Sequence, residues 1–363
     1  MLNIDKIVIG FNNIFQNFFT HLIFWYISLL FYIFLTEDNE LFITYLNFLE
    51  TDNIFSLLLI ISLLISILFS IFDIVFTART LRFLPRRLLL FIKSIFYLVS
   101  VFLLVIIAAK PPESIIREQN YEQLLQHLPD ANIKFIRFLV YFYLSAFLIN
   151  FLKAVRKKVG RANFRNWILG LLNKPTEQEK IFMFLDMKYS TALAEKLSHR
   201  KFSYLIQDIF NDLSIVDNYH GEIYQYLGDG AIISWSIKNG LQQNNFLKTF
   251  YAFSKLIQRR RRYYMRKYQT VPEFKAGIHA GKVMVLQVGQ IRSDISYNGD
   301  TINTAARIEA QCNEYRHNLL ISGELYNKIK NKRGFQFTNA GNIKLKGKKR
   351  GVEIYKVRKK KKA

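Results

Sequence analysis

Four apolar runs, each about 20 residues long, are confined to the first half of the chain: Asn17–Leu35, Ile54–Phe76, Leu88–Ala109 and Ile133–Leu152. A helix of that length covers the roughly 30 Å of hydrocarbon in a bilayer. The sequence therefore predicts four transmembrane helices, followed after about Lys153 by polar, mixed sequence of the kind that folds in water. The first run lacks a small-residue cleavage site and is followed by three more, so it reads as a span and not as a removed signal.

The loops set the orientation. The loop after the first run, "TEDNELFITYLNFLETDN", contains acidic residues and no Lys or Arg, whereas the next carries Arg79, Arg82, Arg86 and Arg87. The third, "KPPESIIREQNYEQLLQHLPDAN", is mixed and slightly acidic. Lys153, Arg156, Lys157, Lys158, Arg161 and Arg165 follow the fourth run. Basic residues mark the cytoplasmic side of spans, so both termini and the whole second half are expected in the cytoplasm, with the protein in the plasma (inner) membrane. His21, Asp73, Lys93 and Arg137 lie within or near the ends of apolar runs, where ionisable groups are costly. Structural pairing is the expectation, Asp73 taking a basic neighbour and Lys93 and Arg137 reaching toward the surface.

The formal charge of +24 raises the question of nucleic acid. Basic residues beside spans contact anionic lipid headgroups, and no nucleic-acid motif accompanies the run Arg259–Arg262 or the tail "KVRKKKKA". Membrane lipid is thus the expected partner, and nucleic acid is not. The single cysteine, Cys312, excludes an intramolecular disulfide.

The expected organisation is a membrane domain over 1–153, a basic linker helix over 154–178, a catalytic domain over 179–357 and a basic tail over 358–363. In the second half, "IFMFLDM" is a short bounded apolar run suited to a central strand. The stretch "YQYLGDGAIISW", Tyr224 to Trp235, reads as a hairpin turning at Gly228-Asp229-Gly230. "FKAGIHAGKVMVLQVG" reads as two strands turning at Gly281, and "DTINTAARIEAQCNEY" as a helix. The order describes an α+β domain with a mainly antiparallel sheet and helices on one face.

Asp186 ends the first strand and Asp229 sits in the hairpin. Two carboxylates brought to one sheet edge, completed by phosphate oxygens, suit Mg²⁺; each is otherwise an ordinary turn residue. Asn303 and Arg307 are four apart and share a helix face. Such a pair can orient a sugar and neutralise phosphate charge, or simply form a solvated stripe. "KLKGKKRG" offers several lysines for a polyphosphate, or a solvated charge run.

Together, "IFMFLDMKYST", "YLGDGAIISW", "FKAGIHAGKVMV", "SYNGDTINTAARIE" and "IKLKG" resemble, in order and spacing, the class III nucleotidyl cyclases, the adenylate and guanylate cyclases. The resemblance covers about Glu179 to Val357 and extends to the bacterial members anchored by several membrane helices. It implies a ferredoxin-like cyclase fold, with Asp186 and Asp229 as metal-binding aspartates for two Mg²⁺ or Mn²⁺ ions and the Met187 carbonyl facing the same site. It further implies that Asn303 positions the ribose, Arg307 stabilises the transition-state phosphoryl group and Lys346 contacts the β- and γ-phosphates. In this family the metal aspartates and the Asn/Arg pair come from different subunits, so a homodimer is implied, with "QIRSDISYN" as its dimerisation arm. The base-selecting positions map to Gln225 and Ser296. Adenylate cyclases typically carry Lys and Asp there, and guanylate cyclases Glu and a small residue. The expected activity is cyclisation of ATP to cyclic AMP. Cyclic GMP from GTP is the first alternative, and a membrane receptor with a nucleotide-binding, non-cyclising domain the second.

Overall fold

The computed structural model describes residues 4–36, 53–77, 88, 91–100, 121–159, 164, 170, 174–289, 294–344 and 351–360. The chain divides into two compact units, Met1–Lys158 and Val159–Ala363.

The first unit contains the helices α1 (Ile4–Thr36), α2 (Ile54–Thr77), α3 (Phe91–Ser100) and α4 (Tyr121–Val159). Three stretches among the described residues, Asn17–Leu35, Ile54–Asp73 and Ile136–Arg156, are long and apolar enough to cross a membrane. Of the run Leu88–Ala109, the described part forms the shorter apolar helix α3, and the remainder falls outside the described residues. Residues 121–132 of the expected third loop form the start of α4, and its residues 110–120 fall outside the described residues.

Aromatic side chains form the centre of this unit. Trp25 stacks on Phe142 with ring centroids 4.3 Å apart, and Phe69 stacks on Tyr97 at 3.8 Å. Ile27, Phe31 and Phe34 of α1, Ile71 of α2 and Leu144 of α4 remain more than half exposed. An apolar outer surface around an aromatic centre is the pattern a lipid-facing bundle requires, since lipid solvates the outward side chains.

The ionisable residues expected to pair do so around one carboxylate. Asp73 forms ion pairs with Lys93 and with Lys153 (2.6 Å), accepts a hydrogen bond from the Tyr97 hydroxyl at 2.7 Å, and lies 3.0 Å from His21 Nε2. Lys93 therefore turns inward onto Asp73 instead of reaching for the surface. Asp73 lies on α2 and its partners come from α1, α3 and α4, so the network ties the four helices together.

The second unit is built on a mixed eight-stranded sheet: β1 (Thr176–Met187), β2 (Glu222–Leu227), β3 (Gly230–Ser236), β4 (Phe274–Val288), β5 (Asp294–Asn298), β6 (Leu319–Ser322), β7 (Phe335–Ile343) and β8 (Val352–Lys359). The order is β2-β3-β1-β4-β6-β8-β7, with β5 folded back on β4. All pairings are antiparallel except β4 with β6, so the expected antiparallel character is interrupted at one place.

Alternation along β1 creates two cores. Ile181, Met183, Leu185 and Met187 face one side, where they pack with Leu205 and Ile209 of α6 (His199–Asp212) and Phe246, Phe250 and Phe253 of α8 (Asn245–Arg259). Short helices α5 (Ser190–Lys196) and α7 (Ile237–Leu241) precede them in turn, and α9 (Arg261–Tyr268) follows α8. Phe182 and Phe184 face the other side, with Val283, Val285, Tyr297 and Ala305. Ala305 belongs to α10 (Asp300–Ala310), so helices cover both faces of the sheet and not one as the sequence suggested. A last short helix, α11 (Gly323–Lys328), follows β6.

The expected turn at Gly281 is also absent. β4 runs straight through it as one 15-residue strand. A Cβ at Gly281 would lie 2.6 Å from Thr301 Oγ1, and one at Gly277 would lie 2.1 Å from the Glu309 backbone nitrogen. These glycines let α10 lie close on the strand, which accounts for their place in a sequence that reads like a turn.

Candidate active site

The site begins where β1 ends. Asp186 and Met187 are the last two residues of that strand, and Lys275 of β4 stands directly opposite Asp186 in the antiparallel register. On the other side of β1, Leu185 pairs with Ala231 at the start of β3. The hairpin expected from "YLGDGA" is present: Leu227 pairs with Gly230 across the two-residue turn Gly228-Asp229, Gly228 taking φ +55°. A Cβ on Gly230 would lie 2.6 Å from the Leu185 carbonyl and 3.4 Å from Asp186 Oδ1. Glycine at 230 therefore allows the turn bearing Asp229 to sit against Asp186.

The apposition has an electrostatic consequence. Partial burial raises the pKa of Asp186, and the negative charge of Asp229 raises it further, while the Lys275 ammonium 3.3 Å away opposes both. Carboxylates that repel one another in this way are stabilised together by a nearby cation. Their oxygens suit a hard divalent ion such as Mg²⁺ or Mn²⁺ better than a soft metal. Among the described residues no group of three or more His, Cys, Asp or Glu forms a protein-only metal cage. The donor set fits the divalent cofactor implied by the sequence.

Sequence reasoning missed Lys275 and Glu309. Lys275 Nζ lies 2.8 Å from Glu309 Oε1 as well as 3.3 Å from Asp186 Oδ2, and its side chain is only 10% exposed. Burial acts to lower the lysine pKa, but Glu309 and Asp186 outweigh it and the net shift is upward. Burial raises the pKa of Glu309, which also senses the charges of Asp186 and Asp229. The only advance sign of Lys275 was a lysine embedded in the small-residue stretch "FKAGIHAG".

Asn303 and Arg307 share α10, as their spacing predicted. Asn303 is exposed, and Arg307 Nη1 is buried without a hydrogen-bond partner among the described residues. Among the described residues no ion pair or hydrogen bond joins either of them to Asp186 or Asp229 of the same chain. Gln225 is exposed on β2, just beyond a bulge that follows Ile223. Ser296 lies on β5, its hydroxyl donating to Asn298 Oδ1 at 2.9 Å. The described part of the expected arm, Asp294–Asn298, is β5 itself and pairs with β4, while its residues 290–293 fall outside the described residues. Lys346 also falls outside them. Of the run Arg259–Arg262, Arg260 is structural, pairing with Asp212 of α6. Cys312 is free and buried, its thiol pushed up to about 12 by burial, and so is unsuited to nucleophilic chemistry.

The family of adenylate and guanylate cyclase catalytic domains matches residues 173–359. The chain belongs to this family. Adenylate cyclase 2 of Rhizobium meliloti (strain 1021) is 29% identical over 202 residues, covering 55% of this chain and 56% of that protein. Adenylate cyclase 1 of the same organism is 26% identical over 186 residues, covering 50% of this chain and 27% of that protein. The chain thus spans about half or less of these relatives. A bacterial light-regulated adenylyl cyclase structure shares the fold, with TM-score 0.50 and 20% identity over 66% of each chain. Membership in the family accounts for the sheet, the hairpin and α10 as one inherited framework.

Proposed function

We propose that the protein is a membrane-anchored adenylate cyclase, converting ATP to 3′,5′-cyclic AMP and pyrophosphate. The carrying observation is the apposition of Asp186 and Asp229 at the end of β1, in a chain whose second unit belongs to the cyclase family. The relatives named adenylate cyclase support ATP as the substrate. Three apolar helices of sufficient length support the membrane anchor, and the loop charges support a cytoplasmic second unit.

In this reading Asp186, Asp229 and the Met187 carbonyl hold two divalent ions. Bound there, such ions would supply a lowered pKa for the attacking 3′-hydroxyl and neutralisation of phosphate charge. Asn303 hydrogen-bonds the ribose and fixes the hydroxyl in line with the α-phosphorus. Arg307 stabilises charge growing on the phosphoryl oxygens, and Lys346 holds the β- and γ-phosphates as pyrophosphate leaves. Gln225 and Ser296 meet the purine edge, each able to donate or accept.

Family membership supports a two-fold homodimer, each site drawing its metal aspartates from one protomer and its Asn/Arg pair from the other. Arg307 Nη1 has no hydrogen-bond partner among the described residues, which leaves its donor capacity for a ligand.

The test is product identification with the full chain in membranes, given ATP or GTP and Mg²⁺ or Mn²⁺. Cyclic AMP is expected. Cyclic GMP alone would assign the alternative substrate, and no cyclic product from either triphosphate would make the second unit a nucleotide-binding receptor module.

A further inference from the structure

Lys275 is not needed to hold the sheet together, since the β1–β4 ladder extends along twelve paired positions from Thr176 to Met187. Its placement is nevertheless specific: opposite Asp186 on the neighbouring strand, with its ammonium between Asp186 and Glu309. A buried ammonium is tolerated only when paired, and here one ammonium serves two carboxylates at once. Both of those carboxylates also sense the charge of Asp229, so the cluster holds three carboxylates and one lysine. The excess of two negative charges is what one divalent ion neutralises.

We propose that Lys275 is a positioning residue of this site, a resident cation that restrains Asp186 until a divalent ion takes the carboxylate and Lys275 withdraws onto Glu309. The proposal rests on the reading of Asp186 and Asp229 as metal ligands. The geometry favours the exchange: Nζ is already nearer to Glu309 (2.8 Å) than to Asp186 (3.3 Å), so a small movement frees Asp186 without stranding the lysine. Glu309 lies two residues beyond Arg307 on α10. The lysine therefore links the strand end bearing Asp186 to the helix bearing the transition-state arginine. That link holds while the lysine engages both carboxylates and is released from β1 when it withdraws onto Glu309.

A resident competitor and its holding carboxylate should act on metal binding in opposite directions. The full chain in neutral-detergent micelles, without nucleotide, is titrated with Mn²⁺, and free Mn²⁺ is read by electron paramagnetic resonance. Lys275→Met removes the competitor and should tighten Mn²⁺ binding by about tenfold, the scale on which a charge within 4–6 Å shifts a carboxylate. Glu309→Gln leaves the lysine committed to Asp186 and should weaken binding by about as much. Lys275→Arg should stay near wild type. If Lys275→Met fails to fold because Glu309 is stranded, Lys275→Met/Glu309→Gln removes both charges and should bind at least as tightly as wild type. Both single variants weakening binding, or neither changing it, would overturn the proposal and leave Lys275 a structural bridge. No Mn²⁺ binding by the wild type, or binding unaffected by Asp229→Asn, would overturn the metal reading itself.

Discussion

The Lys153 ammonium lies 2.6 Å from the Asp73 carboxylate, joining α4 to α2 within the apolar unit. Asp73 also receives Lys93 and Tyr97 from α3 and contacts His21 on α1. One carboxylate thus pairs with both lysine charges among apolar helices, where unpaired charges are costly. Asp73→Asn leaves two lysines without their counter-ion, and loss of one partner from a buried pair costs about 3–5 kcal/mol. Lys153→Met leaves Lys93 in place and should cost less. Thermal unfolding in micelles should rank the midpoints wild type, Lys153→Met, then Asp73→Asn; equal midpoints would contradict the network's role.

A second carboxylate gives a pH-dependent prediction. Asp208 on α6 accepts hydrogen bonds from Tyr263 and Tyr268, each at 2.6 Å, and from Lys267 at 2.9 Å. Burial alone would raise its pKa, but these donors outweigh burial and hold it below the usual carboxylate range. A depressed carboxylate stabilises the fold above its unfolded pKa, and that contribution is lost as pH falls through the folded value. Asp208→Asn should lose about 1–2 kcal/mol at pH 7, a discounted figure for a partly exposed group bonded to several donors. The difference from wild type should shrink below about pH 4. Denaturant melts at several pH values check this, and a constant difference across that range would refute it.

Gly277→Ala tests the seating of α10. The added Cβ would meet the backbone nitrogen of Glu309 at 2.1 Å and the Ala305 carbonyl at 2.7 Å, and neither can rotate away. Overpacking of this kind costs about 1–3 kcal/mol. Because α10 carries Asn303 and Arg307, cyclase activity should fall by more than the loss of folded protein explains. Activity normalised to folded protein, from parallel melts and assays, separates the two effects.

Much of this was legible in the sequence, and the limits follow from where each signal resides. Apolar run length announced three described helices of the first unit that are long enough to cross a membrane, and the short, bounded run "IFMFLDM" announced β1 as a central strand. The turn at Gly228-Asp229 was legible because a hairpin turn is set by local residues. The partnership of Asp186 and Lys275 was not, since antiparallel register joins residues far apart in sequence and leaves no local trace. Gly281 misled for a related reason. A glycine that admits a helix against a strand looks in sequence like a glycine that makes a turn, and only the packing of Thr301 distinguishes them.

Base choice can be probed by restoring the residue types usual for adenine. Gln225→Lys with Ser296→Asp replaces two groups of either polarity with one fixed donor and one fixed acceptor. The ratio of kcat/KM for ATP over GTP should rise by about tenfold, the equivalent of one well-made discriminating hydrogen bond. An unchanged ratio would place the purine elsewhere than between β2 and β5.

The most direct measurement of the central claim mixes two inactive chains. Asp186→Ala lacks a metal aspartate and Arg307→Ala lacks the transition-state arginine, so each homodimer should make almost no cyclic AMP. Co-expressed in equal amounts, half of the dimers should be mixed, each with one intact site, restoring about a quarter of wild-type cyclic AMP synthesis. Persistent inactivity of the mixture, or substantial activity in either variant alone, would contradict a cyclase site assembled from Asp186 and Asp229 of one protomer and Asn303 and Arg307 of the other.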